Sequence, residues 1–261
     1  MTEVYSLKFD KALFDAAPAR QRAAYLMASQ LWNDVNILSR QMLICQTPAN
    51  SDCSPAEKSA RLAAQILYLR FLAGRLHEGH SFYTSLKSVL PSWKTDLPDQ
   101  AVSAIKSLKA YFKGNNSTIT RLRKKIGFHA DFDMFEESLS YIEGPHIEEF
   151  IGDTAANTLF MSAEIANLAA LPSIVGTQTR REGLNTLIKD CLQAMGWTYD
   201  ACQGYHQWFL NAYVFPHVSL QTERSLVDMT GMPAFEDLRF QFFANFDGLV
   251  SSLEAGQLAN S

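Results

Sequence analysis

The stretch RLRKKIGFHAD, Arg121 to Asp131, sets four cations ahead of a single imidazole. Those residue types suit phosphodiester chemistry. Cleaving RNA without a metal takes a base for the ribose 2′-hydroxyl proton and fixed positive charge for the phosphorane that develops. His129, whose ordinary pKa lies near neutrality, meets the first need. Arg123, always charged and fork-shaped, meets the second. Arg121, Lys124 and Lys125 would then bind phosphates and position the backbone. The same spacing also fits a solvated basic helix face that ends near a core histidine. Both readings stand at this point.

The segment needs a helix to hold it. Ser117 or Asn116 can cap a helix over Thr118 to Phe128. Ile119, Leu122 and Ile126 then fall three and four residues apart and set its buried face. His129 is the next step of that series, at the border of the core. Upstream, a helix after Pro18 runs through Gln46, and TPANSDCSP reads as a loop. Ser54-Pro55-Ala56-Glu57 combines a capping serine, an early proline and a glutamate three residues on, a strong helix start. That helix continues to about Leu90 with the stripe Leu62, Ile66, Leu69, Ala73, Leu76, His80 and Tyr83. PSWKTDLPD reads as a loop, and Asp99 to Phe112 as a helix. Beyond Gly144-Pro145 the pattern stays helical with a break near LPSIVGTQT. A long apolar-aromatic helix spans Arg180 to Phe215, and a last one Ala234 to Glu254. Only VYSLKF near the start alternates as a strand would.

These elements predict an all-α antiparallel helical bundle: residues 1–144 as the main bundle, and 145–261 as a C-terminal helical extension on the same core. The chain has 261 residues, 47% of them apolar, enough for a sizeable core. Thirteen glycines and nine prolines are few for a turn-rich all-β fold. A net charge of −4 argues against a nucleic-acid coat protein but leaves room for a local basic groove. No apolar run reaches a membrane span, and the N-terminus carries charge where a signal peptide needs its apolar centre. A cytoplasmic protein without a membrane partner is expected, with Cys45, Cys53, Cys191 and Cys202 reduced.

Other constellations fit less well. His77 and His80 in RLHEGH lie three apart, whereas the zinc-protease motif needs imidazoles four apart. Glu143 and His146 have Glu-x-x-His spacing, but di-iron bundles use two such pairs and two more glutamates. The cysteines contain no CxxC pair. There is no phosphate-cradling glycine loop and no G-x-S-x-G elbow. No metal and no cofactor are expected.

RKKIGFHAD, Arg123 to Asp131, resembles the signature of HEPN-domain proteins (higher eukaryotes and prokaryotes nucleotide-binding). In that signature an arginine is followed by four to six residues and a histidine, often ending Ile-small-Phe-His. FLAGRLHEG, Phe71 to Gly79, is also similar to segments of prokaryotic HEPN-like proteins. The resemblance covers roughly residues 18 to 142. It implies a HEPN-like bundle that homodimerises, so that two Arg–His pairs face one cleft. It also implies a metal-independent endoribonuclease of toxin–antitoxin or phage-defence type, with RNA as substrate and an antitoxin or other protein as partner. The catalytic pair would be Arg123 and His129, with Glu78 and His80 of the second helix as accessory residues. Some members are non-catalytic modules that bind RNA, a nucleotide or a protein. Lys124 departs from the Asn, Asp or His common after the arginine. A lysine contacts phosphate but has no acceptor with which to orient His129.

Overall fold

The helices start where side chains supply their missing hydrogen bonds. In the computed structural model, which describes residues 5–46, 52–115, 117–127, 132–139, 146–217, 225–226, 231–233 and 235–244, Ser54 forms a full capping box with Glu57. Thr179 does the same with Glu182. These boxes open the two longest helices, Pro55–Val89 and Arg180–Tyr213. In chain order the helices are α1 Lys11–Asp15, α2 Ala19–Ile44, α3 Pro55–Val89, α4 Trp93–Asp96, α5 Asp99–Tyr111, α6 Thr118–Leu122, α7 Phe132–Leu139, α8 Met161–Val175 and α9 Arg180–Tyr213. Two short strands, Tyr5–Ser6 (β1) and Ser225–Leu226 (β2), pair antiparallel. The described chain is thus mostly helical.

Cross-helix bonds give the directions. Gln21 near the start of α2 donates to the Val89 carbonyl at the end of α3, while Asp34 further along α2 pairs with Arg75, earlier on α3. The two run antiparallel. Likewise Gln21 meets Tyr205 and Tyr213 of α9, and the Trp32 ring packs at a tilt against that of the earlier Tyr199. Gln100 of α5 bonds Asp200, and Tyr111 bonds the earlier Asp190. So α9 runs antiparallel to both α2 and α5. One core joins Leu31, Leu72, Leu76, Ile105, Ile119 and Leu122 with Leu187, Cys191 and Tyr205, and so draws on both sides of Gly144-Pro145. Each fully buried leucine contributes about 1.5–3 kcal/mol. Gly204 permits a close crossing of α9 and α5: a β-carbon there would lie 2.2 Å from the Ala101 Cβ.

Several expectations are corrected. The loop expected over PSWKTDLPD contains α4, whose Trp93 is buried. Residues 146–160, expected helical, are irregular except for a turn at Ala155–Asn157 and a bridge between Phe150 and Leu159. The break expected near LPSIVGTQT does fall in that stretch: α8 runs through LPSIV, with Pro172 in its last turn, and ends at Gly176, which takes φ +82 as a left-handed end residue. The helix expected from Ala234 is a single turn, Phe235–Asp237, with residues 238–244 irregular. The rest of that expected helix, Gly144-Pro145 and Glu143 lie outside the described residues. The helix expected over Thr118 to Phe128 is α-helical only to Leu122, and Arg123–Gly127 form a π-turn.

Candidate functional site

The π-turn falls on the basic segment itself. Ser117 caps α6 by accepting from the Thr120 amide. Ile119, Leu122 and Ile126 are buried and fix the segment against α3. A π-turn closes on the fifth residue instead of the fourth, so the side chains beyond it are turned from α-helical register. Such bulges are frequent at functional sites. His129 lies outside the described residues, two positions past the end of this turn.

Arg123 reaches across to α3. Its Nη2 donates to Glu78 Oε1 at 2.5 Å, and its Nε is buried without an acceptor among the described residues. The two side chains remain 38% and 48% exposed, so the pair orients Arg123 without locking it away from solvent. His77 lies beside it. Burial, then the Arg123 cation, hold the His77 pKa below its ordinary value of 6.5; Glu78 pulls the other way, and His80 and Lys124 add to the lowering. His80, one turn on, is lowered by burial and then by Lys109. Both imidazoles pack on Phe112, with ring centroids 5.8 and 5.5 Å away. Both shifts favour the neutral imidazole, which keeps one N–H and leaves its other ring nitrogen free to accept.

The remaining cations divide. Arg121 Nη2 donates to the Val175 carbonyl at 3.0 Å, which places it at the C-terminal end of α8, a site that favours a cation. Lys124 is exposed beside Arg123 and acts on His77. Lys125 is exposed in the same turn. The structure therefore brings Glu78, Arg123 and Lys124 into one patch, with His80 at its edge, and directs Arg121 elsewhere. His77, which the sequence suggests as a metal ligand or a boundary residue, belongs to this patch. The signal was its adjacency to Glu78.

A second imidazole pair has no such freedom. Ser29 Oγ lies 2.9 Å from His206 Nε2, resembling a nucleophile and its base. However, the Ser29 hydroxyl donates to the Tyr25 carbonyl at 2.8 Å. Its one proton is spent, so the imidazole must donate to Oγ, the reverse of nucleophile activation. Among the described residues no group of three His, Cys, Asp or Glu could hold a metal ion. His146 is exposed in a loop. The four cysteines are unpaired, and burial pushes Cys45 up to about 11, away from reactivity. No described helix is long and apolar enough to cross a membrane.

No protein-family model matches the chain, and neither a curated protein nor a solved structure matches it.

Proposed function

We propose that the chain is a HEPN-like, metal-independent endoribonuclease in which Arg123 and His129 act on one RNA phosphodiester. The observation that supports this best is the pairing of Arg123 with Glu78 at a π-turn beside His77, whose pKa burial and Arg123 hold low. It gives the motif arginine a fixed aim at the open edge of α3. His129 takes the ribose 2′-hydroxyl proton, and the 2′-oxygen bonds to phosphorus. Arg123, with Lys124 and Lys125 near it, balances the charge on the phosphorane. The bond to the 5′-oxygen then breaks, and that oxygen leaves with a proton from solvent. The products are a 2′,3′-cyclic phosphate and a 5′-hydroxyl. A homodimer would set two such pairs across one cleft.

A second reading has its own support. Glu78 offsets part of the Arg123 charge, and Lys124 cannot orient an imidazole. Both fit a non-catalytic HEPN-like module that binds RNA, a nucleotide or a protein partner such as an antitoxin. Purified full-length protein incubated with total RNA in EDTA separates the two. Cleavage that is lost in His129→Ala and Arg123→Ala supports the enzyme. Wild type cutting no better than His129→Ala rejects it; RNA binding that then weakens steeply with salt favours the module.

A further inference from the structure

A cavity of about 500 Å³ opens where the end of α3 meets α4 and α5. Lys87, Lys94, Lys106 and Lys109 line it with Pro91 and Trp93, and no acid stands on its wall among the described residues. Trp93 is 5% exposed and serves as its floor. The Lys109 ammonium lies 4.8 Å from the Trp93 ring centroid and that of Lys94 5.9 Å, so the ring holds two of the four cations in place. None of the four forms an ion pair with another described residue. The nearby acid Asp96 accepts from the Ser92 hydroxyl at 2.5 Å and faces a different hollow. Burial, then Lys94 and Lys87, lower the Lys109 pKa, the mark of like charges crowded without relief.

We propose that this cavity is a binding site for a compact oligophosphate group, carried by a nucleotide or free as inorganic polyphosphate. Four ammoniums around one concavity repel one another, and a ligand with several negative charges removes that repulsion. A single phosphate would leave the cluster net positive. The ligand is read by its phosphates alone: the Trp93 ring is buried and faced by lysines, which leaves no aromatic surface on which a base could stack. No carboxylate is present to receive a sugar hydroxyl. The site draws on none of the residues of the proposed cleavage site and stands or falls separately from it.

Calorimetric titration of the full-length protein at physiological salt tests this, with inorganic tripolyphosphate, ATP and orthophosphate as probes. The test variant is Lys87→Ala/Lys106→Ala; both side chains are exposed and neither faces the Trp93 ring, so its melting temperature should match wild type. Tripolyphosphate should bind wild type at least about tenfold more tightly than orthophosphate, and the double variant should lose at least about tenfold. Lys58→Ala, exposed at the far end of α3, should bind as wild type does. ATP binding about as tightly as tripolyphosphate supports a site that accepts a nucleotide's phosphates; much weaker ATP supports free polyphosphate as the source; ATP binding more tightly than tripolyphosphate overturns reading by phosphates alone. Affinity unchanged in the double variant overturns the proposal. So does tripolyphosphate binding no better than orthophosphate, or a 5′-hydroxyl RNA that binds these lysines as tightly as tripolyphosphate.

Discussion

Where α9 lies against α2 and α5, the polar side chains bond within the fold. The Tyr205 hydroxyl donates to the Gln21 carbonyl, Tyr213 to the Gln21 side chain, Tyr111 to Asp190 and Gln100 to Asp200. Ser29 and His206 complete each other, with Tyr25 taking the spare proton. Where α6 and its π-turn lie against α3, the Arg123–Glu78 ion pair forms at the surface and leaves bonding capacity beside it. The Arg123 Nε has no acceptor among the described residues, and two imidazoles whose pKa values are held low stand with a ring packed behind them. Both regions bury histidine and lower its pKa. The difference is whether the surrounding groups exhaust its bonding capacity. A seam that satisfies itself stabilises; a patch that does not has capacity left for a ligand.

The sharpest break in this comparison is Arg123→Ala. Removing one preorganised donor to a developing anion typically slows catalysis by about 10²–10³-fold. RNA cleavage in EDTA should fall by that order while the melting temperature barely moves, because the Glu78 pair is an exposed one. Arg123→Lys should recover little, since an ammonium cannot serve Glu78 and a phosphate in one plane. A large loss of stability with unchanged cleavage would make the patch another structural seam.

Gly204→Ala tests the opposite region. The added carbon would meet Ala101 Cβ, which cannot swing aside. Overpacking of this kind costs about 1–3 kcal/mol. Thermal unfolding should show that loss, and cleavage per folded molecule should stay at the wild-type level. A variant as stable as wild type would mean that α5 and α9 are less tightly apposed.

How these regions came to be legible differs as well. The capping box at Ser54, the start after Pro18 and the long helix ending before Pro216 are local signals, and the structure follows them within a few residues. The π-turn was not legible, because Ile119, Leu122 and Ile126 at three- and four-residue steps are buried under either geometry. Residues 146–160 read as helix from composition alone, where no cap or regular stripe supported the reading. Glu78 and Arg123 meet across 45 positions of sequence, and that meeting depends on how α3 and α6 cross. The cavity lysines come from three elements and form no run of charge. Spacing along one helix can nominate residues for a site, but only the packing of helices decides which of them share it.

A smaller effect separates the histidines by pH. His77, His80 and His206 all have folded pKa values below the ordinary 6.5, with burial the largest cause in each. Their unfolded forms therefore take up protons first as pH falls. The stability they contribute is complete above 6.5, declines as pH drops below it, and levels off once the folded imidazoles protonate. The melting temperature should therefore fall as pH drops through the ordinary histidine value of 6.5. His206→Gln should remove more of that dependence than His77→Gln, since His206 is enclosed by the seam and His77 borders solvent. Equal effects would remove the distinction between the two regions on this measure.

The smallest effect, and the most discriminating, is that of Glu78→Gln. The ion pair is about half exposed, so stability should change by less than about 1 kcal/mol. What changes is the Arg123 charge. Without the carboxylate the guanidinium presents its whole charge to a phosphate, so RNA binding should tighten at low salt and its salt dependence should steepen by about one phosphate contact. Glu78 also raises the His77 pKa, so the variant should lower it further, which a histidine NMR titration reads directly. If Glu78 aims Arg123 as well as partly neutralising it, the variant should bind RNA more tightly yet cleave it more slowly. Binding and cleavage that improve together would leave Glu78 as a brake. An unchanged salt slope would show that Arg123 does not meet the phosphate, and that Glu78 completes its bonding as Tyr25 does for Ser29.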